Sequence, residues 1–173
     1  MADQTEKPHF VVEPLGSRHN RAAFSCGVPA LDTYLQKQAG QDLKKRAAVA
    51  FVITPDGTTI AGYYTLSQYA VQLDVVPPEI AKKLPKYPLV PATLLGRLAV
   101  STAFQGQGLG ALLLMDALYR VLAHGKEVAS AGVVVDGKDA AALAFYKKYG
   151  FIELPGIERR LFLPMGTVER LFP

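Results

Sequence analysis

The chain has 173 residues, half of them hydrophobic and a fifth charged, a composition that suits one globular domain with a real core. Nineteen basic against fifteen acidic residues leave a net charge of +4, too modest to establish nucleic-acid binding by itself. Cys26 is the only cysteine, which excludes an internal disulfide, no apolar run is long enough to cross a membrane, and the polar N-terminus has no signal-peptide core. The expectation is a cytoplasmic protein with a single domain over residues 1–173 and no membrane association.

Residues 1–7 read as a frayed tail. Residues 9–13 form a short strand candidate closed by Pro14, and residues 17–20 a turn. Pro29 suits the first turn of a helix whose apolar face is Leu31, Tyr34, Leu35 and Ala39. Residues 47–54 are β-rich, Pro55-Asp56-Gly57 is a turn, and residues 59–73 make the second strand of a hairpin. Pro77-Pro78-Glu79 opens a short helix to about Leu84, and Pro85, Pro88 and Pro91 predict an extended connection to a strand at 94–100.

A helix is expected over 109–123, stopped by His124-Gly125, then a buried valine-rich strand at 131–136. A helix at 139–148 ends at Gly150, and residues 151–154 and 159–163 are the last strands. The order is an antiparallel hairpin followed by β-α-β-α-β, an α/β or α+β domain with one mixed sheet.

The stretch Gln105-Gly106-Gln107-Gly108-Leu109-Gly110 joins a strand to a helix and alternates glycine with other residues. Glycines let a ligand approach the backbone, and the free N–H groups of a helix start favour an anion. The local chemistry asks for a phosphate. A P-loop is excluded, since no Gly-Lys-Ser/Thr opens the helix. A Rossmann fingerprint fits residues 106–111 as G-x-G-x-x-A, although only about one further β-α-β set follows.

The same loop resembles the Q/R-x-x-G-x-G/A signature of the GNAT N-acetyltransferase superfamily. Downstream, Asp139-Ala140-Ala141-Ala142-Leu143-Ala144-Phe145-Tyr146-Lys147-Lys148-Tyr149-Gly150-Phe151 resembles that family's N-x-x-A-x-x-F-Y-x-x-x-G-F segment, departing at Asp139. Phe24-x-Cys26-Gly27, Leu31-x-x-Tyr34-Leu35, Gly62-Tyr63-Tyr64-Thr65-Leu66-Ser67, Leu95-Gly96-Arg97-Leu98-Ala99-Val100 and Leu161-Phe162-Leu163-Pro164-Met165 are similar to segments of the GNAT toxins of bacterial toxin–antitoxin modules.

That resemblance implies a mixed, mostly antiparallel twisted sheet of six to seven strands flanked by about four helices. It implies acetyl-CoA as cofactor and acetylation of the α-amino group of aminoacyl-tRNA. It also implies a ribbon-helix-helix antitoxin and a homodimer. An ordinary GNAT acting on a small amine or a protein N-terminus is the alternative.

Acetyl transfer to an amine needs a cofactor cradle, a donor to the thioester carbonyl, and proton transfers. By resemblance, Gln105, Gly106, Gln107, Gly108, Leu109 and Gly110 hold the pyrophosphate, and the strand end Leu98, Ala99 and Val100 pairs with pantetheine. Asp139 and Phe145 fall in the second cofactor motif, with a helix cap as the other reading of Asp136 and Asp139. Tyr146 is the candidate general acid, because a phenol near ~10 keeps its proton at neutral pH and can protonate a thiolate near ~8.5. Its other reading is an aromatic staple with Phe145, Tyr149 and Phe151.

No base is evident: His9, His19 and His124 read as surface residues. An α-amine near ~8 is partly neutral without help, unlike a lysine near ~10.4. Lys37, Lys44, Lys45, Arg46, Lys82, Lys83, Lys86 and Arg97 are the candidate phosphate contacts. Solvated surface, or an ion pair for Arg97, is the competing reading. No metal site is expected.

Overall fold

The computed structural model describes residues 9–173, so the tail expected at 1–7 lies outside the described residues. Its strands are β1 (Val11–Pro14), β2 (Val49–Thr54), β3 (Gly62–Gln72), β4 (Leu89–Val100), β5 (Gly132–Asp136), β6 (Ile152–Glu153) and β7 (Arg160–Pro164). Its helices are α1 (Pro29–Thr33), α2 (Ala39–Lys44), α3 (Pro78–Ala81), α4 (Leu109–His124), α5 (Ala140–Lys148) and α6 (Met165–Leu171). The seven strands form one mostly antiparallel sheet in the order β1-β2-β3-β4-β5-β7-β6. The expected α/β class and strand number hold. The described residues contain six α-helices rather than about four, because α1, α2 and α3 are pieces of four to six residues.

The chain divides into two compact units, one of residues up to Tyr64 with Leu98–Leu113, the other of Thr65–Arg97 with Leu114–Pro173. In the first unit β1 pairs antiparallel with β2, from Val11 opposite Thr54 to Pro14 opposite Phe51. Phe24, Tyr34, Leu35, Val52 and Tyr63 form its core. The Tyr34 and Tyr63 rings stack at 6.4 Å. Their hydroxyls are satisfied at Asp42 Oδ2 (2.8 Å) and the Leu31 carbonyl (2.7 Å), which allows both to sit inside.

Two expectations fail here. The helix expected as one piece from Pro29 is interrupted by a π-helical turn over Tyr34–Gln38, where the Ala39 N–H reaches back five residues to the Tyr34 carbonyl. This wide turn still delivers Tyr34, Leu35 and Ala39 to the core. His19 is not a surface residue. Its side chain is fully buried: Nδ1 accepts from the Gly16 N–H (2.9 Å) and Nε2 meets Glu13 Oε1 (2.7 Å). Arg18 and His19 together hold the Glu13 carboxyl below its usual range.

In the second unit β4 and β5 run parallel, with Thr93, Leu94 and Leu95 opposite Val133, Val134 and Val135. β5 pairs antiparallel with β7, and β7 with β6. Val134 and Phe162 anchor a cluster that includes Val71, Val76, Ala92 and Leu154. β4 starts at Leu89, five residues earlier than expected. Pro91 lies near its beginning and still contributes its carbonyl, which accepts from the Ala131 N–H at 2.8 Å. The expected strand at 151–154 shortens to Ile152–Glu153. The seven-residue α6, with Val168 buried, has no counterpart in the sequence reading, since one apolar anchor gives no periodicity.

Candidate active site

The glycine loop belongs to the first unit. β4 runs to Val100, a 3₁₀ turn follows at Thr102–Phe104, and α4 begins at Leu109. Gly106 and Gly108 take φ values of +81° and +77°, where any L side chain is strained, and a Cβ on either would meet nothing within 4 Å. The glycines therefore set backbone direction and leave the outer side of the loop open.

The Leu112 N–H bonds the Gly108 carbonyl (3.2 Å), the first bond of the helix, so the N–H groups of Leu109, Gly110 and Ala111 have no acceptor within the helix. No acidic residue occupies that first turn. Open backbone dipoles of this kind favour an anion.

Gln105 points the other way. Its amide donates to the carbonyls of Val100 (3.0 Å) and Cys26 (3.3 Å), tying the loop to the end of β4 and to the segment before α1. The end of β4 is held further by Ser101 N–H to the Ala61 carbonyl and Thr102 N–H to the Ser25 carbonyl, both 2.8 Å. Gly62 is obligatory, because a Cβ there would lie 2.8 Å from the Ala99 carbonyl oxygen and 2.9 Å from Leu113. Neither the Gln105 clamp nor the Gly62 requirement was assigned from the sequence. A glutamine directly before alternating glycines, and a glycine before two tyrosines, were the available signals. Ala99 is buried, and Leu98 and Val100 are half-buried.

Tyr146 belongs to the second unit, on α5, which is started by Asp139. The Asp139 carboxylate accepts from the Ala142 N–H at 2.8 Å, so the side chain expected at the cofactor is engaged as an N-cap. Asp136 is not a cap: Arg160 grips it with two bonds of 2.8 and 3.0 Å and also donates to the Tyr69 hydroxyl.

The Tyr146 ring is buried between Phe145 (5.2 Å) and Phe151 (5.4 Å), both edge-on. Its hydroxyl has no hydrogen-bond partner among the described residues. No buried side-chain oxygen there lacks a partner, so the tip reaches solvent. Burial pushes the phenol up to about 12, which keeps it an O–H donor at any physiological pH.

The cationic candidates are divided between the two units. Lys37, Lys44, Lys45 and Arg46 lie exposed in the first unit, around the π turn and the end of α2. Arg46 stands at φ +58° where the helix ends, with the Ala47 N–H bonded back to the Asp42 carbonyl. Arg97, in the second unit, is half-buried and already engaged in an interaction of its own. Among the described residues no His, Cys, Asp and Glu cluster fits a metal.

Residues 47–153 match the profile of the acetyltransferase (GNAT) domain. The chain belongs to the GNAT acetyltransferase family. This GNAT is 34% identical to a tRNA-acetylating toxin of Mycobacterium tuberculosis over 149 residues, covering 86% of this chain and 88% of that one. Its structure is similar to that of AtaT complexed with acetyl-methionyl-tRNAfMet, with a TM-score of 0.88, 30% identity, and coverage of 95% of this chain and 100% of that one.

It is also similar to a tyrosine-to-phenylalanine mutant of AtaT bound to acetyl-CoA and the C-terminus of the antitoxin AtaR. There the TM-score is 0.80, the identity 28%, and the coverage 95% of this chain and 98% of that one. The protein is an N-acetyltransferase that uses acetyl-CoA. The open, acid-free cradle at Gly106–Gly110 suits the pyrophosphate of that cofactor.

Proposed function

We propose that this GNAT is a toxin that acetylates the α-amino group of aminoacyl-tRNA and so blocks translation. The observation that carries the reading is likeness over most of the chain to a tRNA-acetylating toxin and to a toxin captured with acetylated methionyl-tRNA. The sequence adds a chemical reason. No general base was evident in it, and an α-amine needs less help to lose its proton than a lysine side chain does.

Acetyl-CoA supplies an activated acyl group as a thioester. The backbone N–H groups from Gln107 to Ala111 hold its pyrophosphate. The end of β4, Leu98, Ala99 and Val100, offers backbone groups to the pantetheine amides, and an N–H of Leu98 or Val100 donates to the carbonyl oxygen. The motivation is that β4 continues to Val100 while its parallel partner β5 ends at Asp136, level with Gly96. The neutral amine forms the new C–N bond as the C–S bond breaks. The proton of the Tyr146 hydroxyl passes to sulfur, water takes the proton lost by the amine, and the phenolate regains one from solvent. Phe145 and the Asp139 cap set the orientation of Tyr146. Lys37, Lys44, Lys45 and Arg46 contact tRNA phosphates, and Arg97 acts nearer the cofactor strand.

The protein works in the cytoplasm, self-associates as a homodimer, and is neutralised by an antitoxin of the ribbon-helix-helix class. None of its described helices is long and apolar enough to cross a membrane. The test is incubation with labelled acetyl-CoA and pools of charged and uncharged tRNA. Label is expected on charged tRNA only and is lost in Tyr146→Phe. Label on small amines or protein N-termini, with none on charged tRNA, sinks the reading in favour of an ordinary GNAT.

A further inference from the structure

We propose that the segment joining α3 to the first residue of β4, residues 82–89, grips an unpaired nucleotide at the 3′ end of the acceptor tRNA. Tyr87 is the stacking surface, and Lys82, Lys83 and Lys86 meet the phosphates. The inference rests on the tRNA reading above and names a contact for it.

The segment reads Lys82-Lys83-Leu84-Pro85-Lys86-Tyr87-Pro88-Leu89, three cations without an acid. Among the described residues none of these lysines forms an ion pair, whereas Arg97, Arg120 and Arg160 are all engaged. Tyr87 is 64% exposed and Leu89 is 56% exposed, so neither ring nor side chain serves the core. Pro85 and Pro88 bracket Lys86-Tyr87 and restrict the backbone, and the Pro88 carbonyl is tied to the Leu73 N–H at 3.1 Å. An aromatic ring is thereby displayed at low entropic cost.

The ring borders an open hollow of about 500 Å³ that Gln72, Asp74 and Lys86 also line. A fixed aromatic face beside free cations is the pattern of single-strand binding, where a base stacks and the backbone follows the charge. A base inside a duplex cannot use it, because both of its faces are already stacked. Asp74 and Gln72 add hydrogen-bonding groups for a base edge or a ribose: a carboxylate accepts from the exocyclic amine of cytosine, and a 2′-hydroxyl donates to either. The same carboxylate disfavours an acidic peptide in the hollow. The other basic group, Lys37, Lys44, Lys45 and Arg46, has no comparable exposed ring, since Tyr34 is buried.

The test uses the full chain and compares aminoacyl-tRNA with an amino-acid methyl ester, which has no nucleotide. Tyr87→Ala is expected to raise KM for aminoacyl-tRNA about tenfold with kcat and KM for acetyl-CoA unchanged, while Tyr87→Phe stays within about twofold. Turnover of the methyl ester is unaffected by either. Changing Lys82, Lys83 and Lys86 to Gln lowers the salt dependence of tRNA affinity by a slope of about two. An unchanged KM in Tyr87→Ala, or an effect confined to affinity for the antitoxin, overturns the inference while leaving the tRNA reading intact. Failure of the unaltered protein to acetylate charged tRNA overturns both.

Discussion

The glycine loop and the Tyr146 helix are built on opposite principles. The loop offers a ligand mainly backbone. Gly106 and Gly108 stand at positive φ with open space outside them, and of its two amide side chains Gln105 is turned inward onto two carbonyls while Gln107 is exposed. The helix offers a side chain only. Its start is closed by Asp139, and Tyr146 is wedged between two aromatic rings with no partner for its hydroxyl among the described residues. A cradle for a constant anion can be made without side chains, because helix N–H groups are present in any sequence. A proton donor cannot, because it needs one particular group whose proton is retained. With the roles proposed above, the loop is expected to tolerate change outside its glycines and the Gln105 clamp, and the helix almost none at position 146.

The largest expected effect separates the two. Tyr146→Phe keeps the ring and its packing and is expected to lower kcat by about a hundredfold or more, while acetyl-CoA binding by calorimetry changes less than about twofold. Equal losses in both would mean that Tyr146 belongs to the binding half.

Alkaline pH sharpens the same contrast. Burial raises the folded phenol to about 12, against about 10 when exposed. The contribution is complete below about pH 10 and is lost as pH rises through about 12, an effect of roughly 3 kcal/mol. Urea midpoints followed across that range are expected to fall more steeply in the natural protein than in Tyr146→Phe; parallel curves would show that the ring is not desolvated.

Gly108→Ala should act on the cradle instead. An alanine at φ +77° is strained, and KM for acetyl-CoA is expected to rise about tenfold with kcat changed much less. The smallest effects are on fixation. Gln105→Ala removes two hydrogen bonds and Asp139→Ala one cap, each costing about 1 kcal/mol in thermal or urea unfolding. Asp139→Asn, which still caps, is expected to restore stability. A loss of acetyl-CoA affinity in Asp139→Asn without loss of stability would return that carboxylate to the cofactor.

Much of this was legible early because it is local. Pro29 before Leu31, Tyr34 and Leu35, the turn at Asp56-Gly57, and the valine run at 133–135 announce their elements by neighbouring residues alone. The misses share one cause. The π turn at Tyr34–Gln38, the early start of β4 through Pro91 and the short α6 are set by what each segment packs or pairs with. His19 shows the same: a histidine in a polar turn is buried because Glu13 and the Gly16 N–H satisfy both ring nitrogens.

By itself, then, the sequence determined the glycine loop before α4, the helix that carries Tyr146, and the family to which their order belongs, since each depends on spacing along a few turns of chain. Tertiary structure alone decided how the side chains are used. Gln105 became a clamp, Asp139 a cap and Asp136 an ion-pair partner, because a polar side chain takes the nearest unsatisfied backbone group or charge, and which one is nearest is a property of the fold. It decided also that Tyr87 stands exposed while Tyr63 and Tyr64 are buried, a difference that no local pattern of tyrosines records.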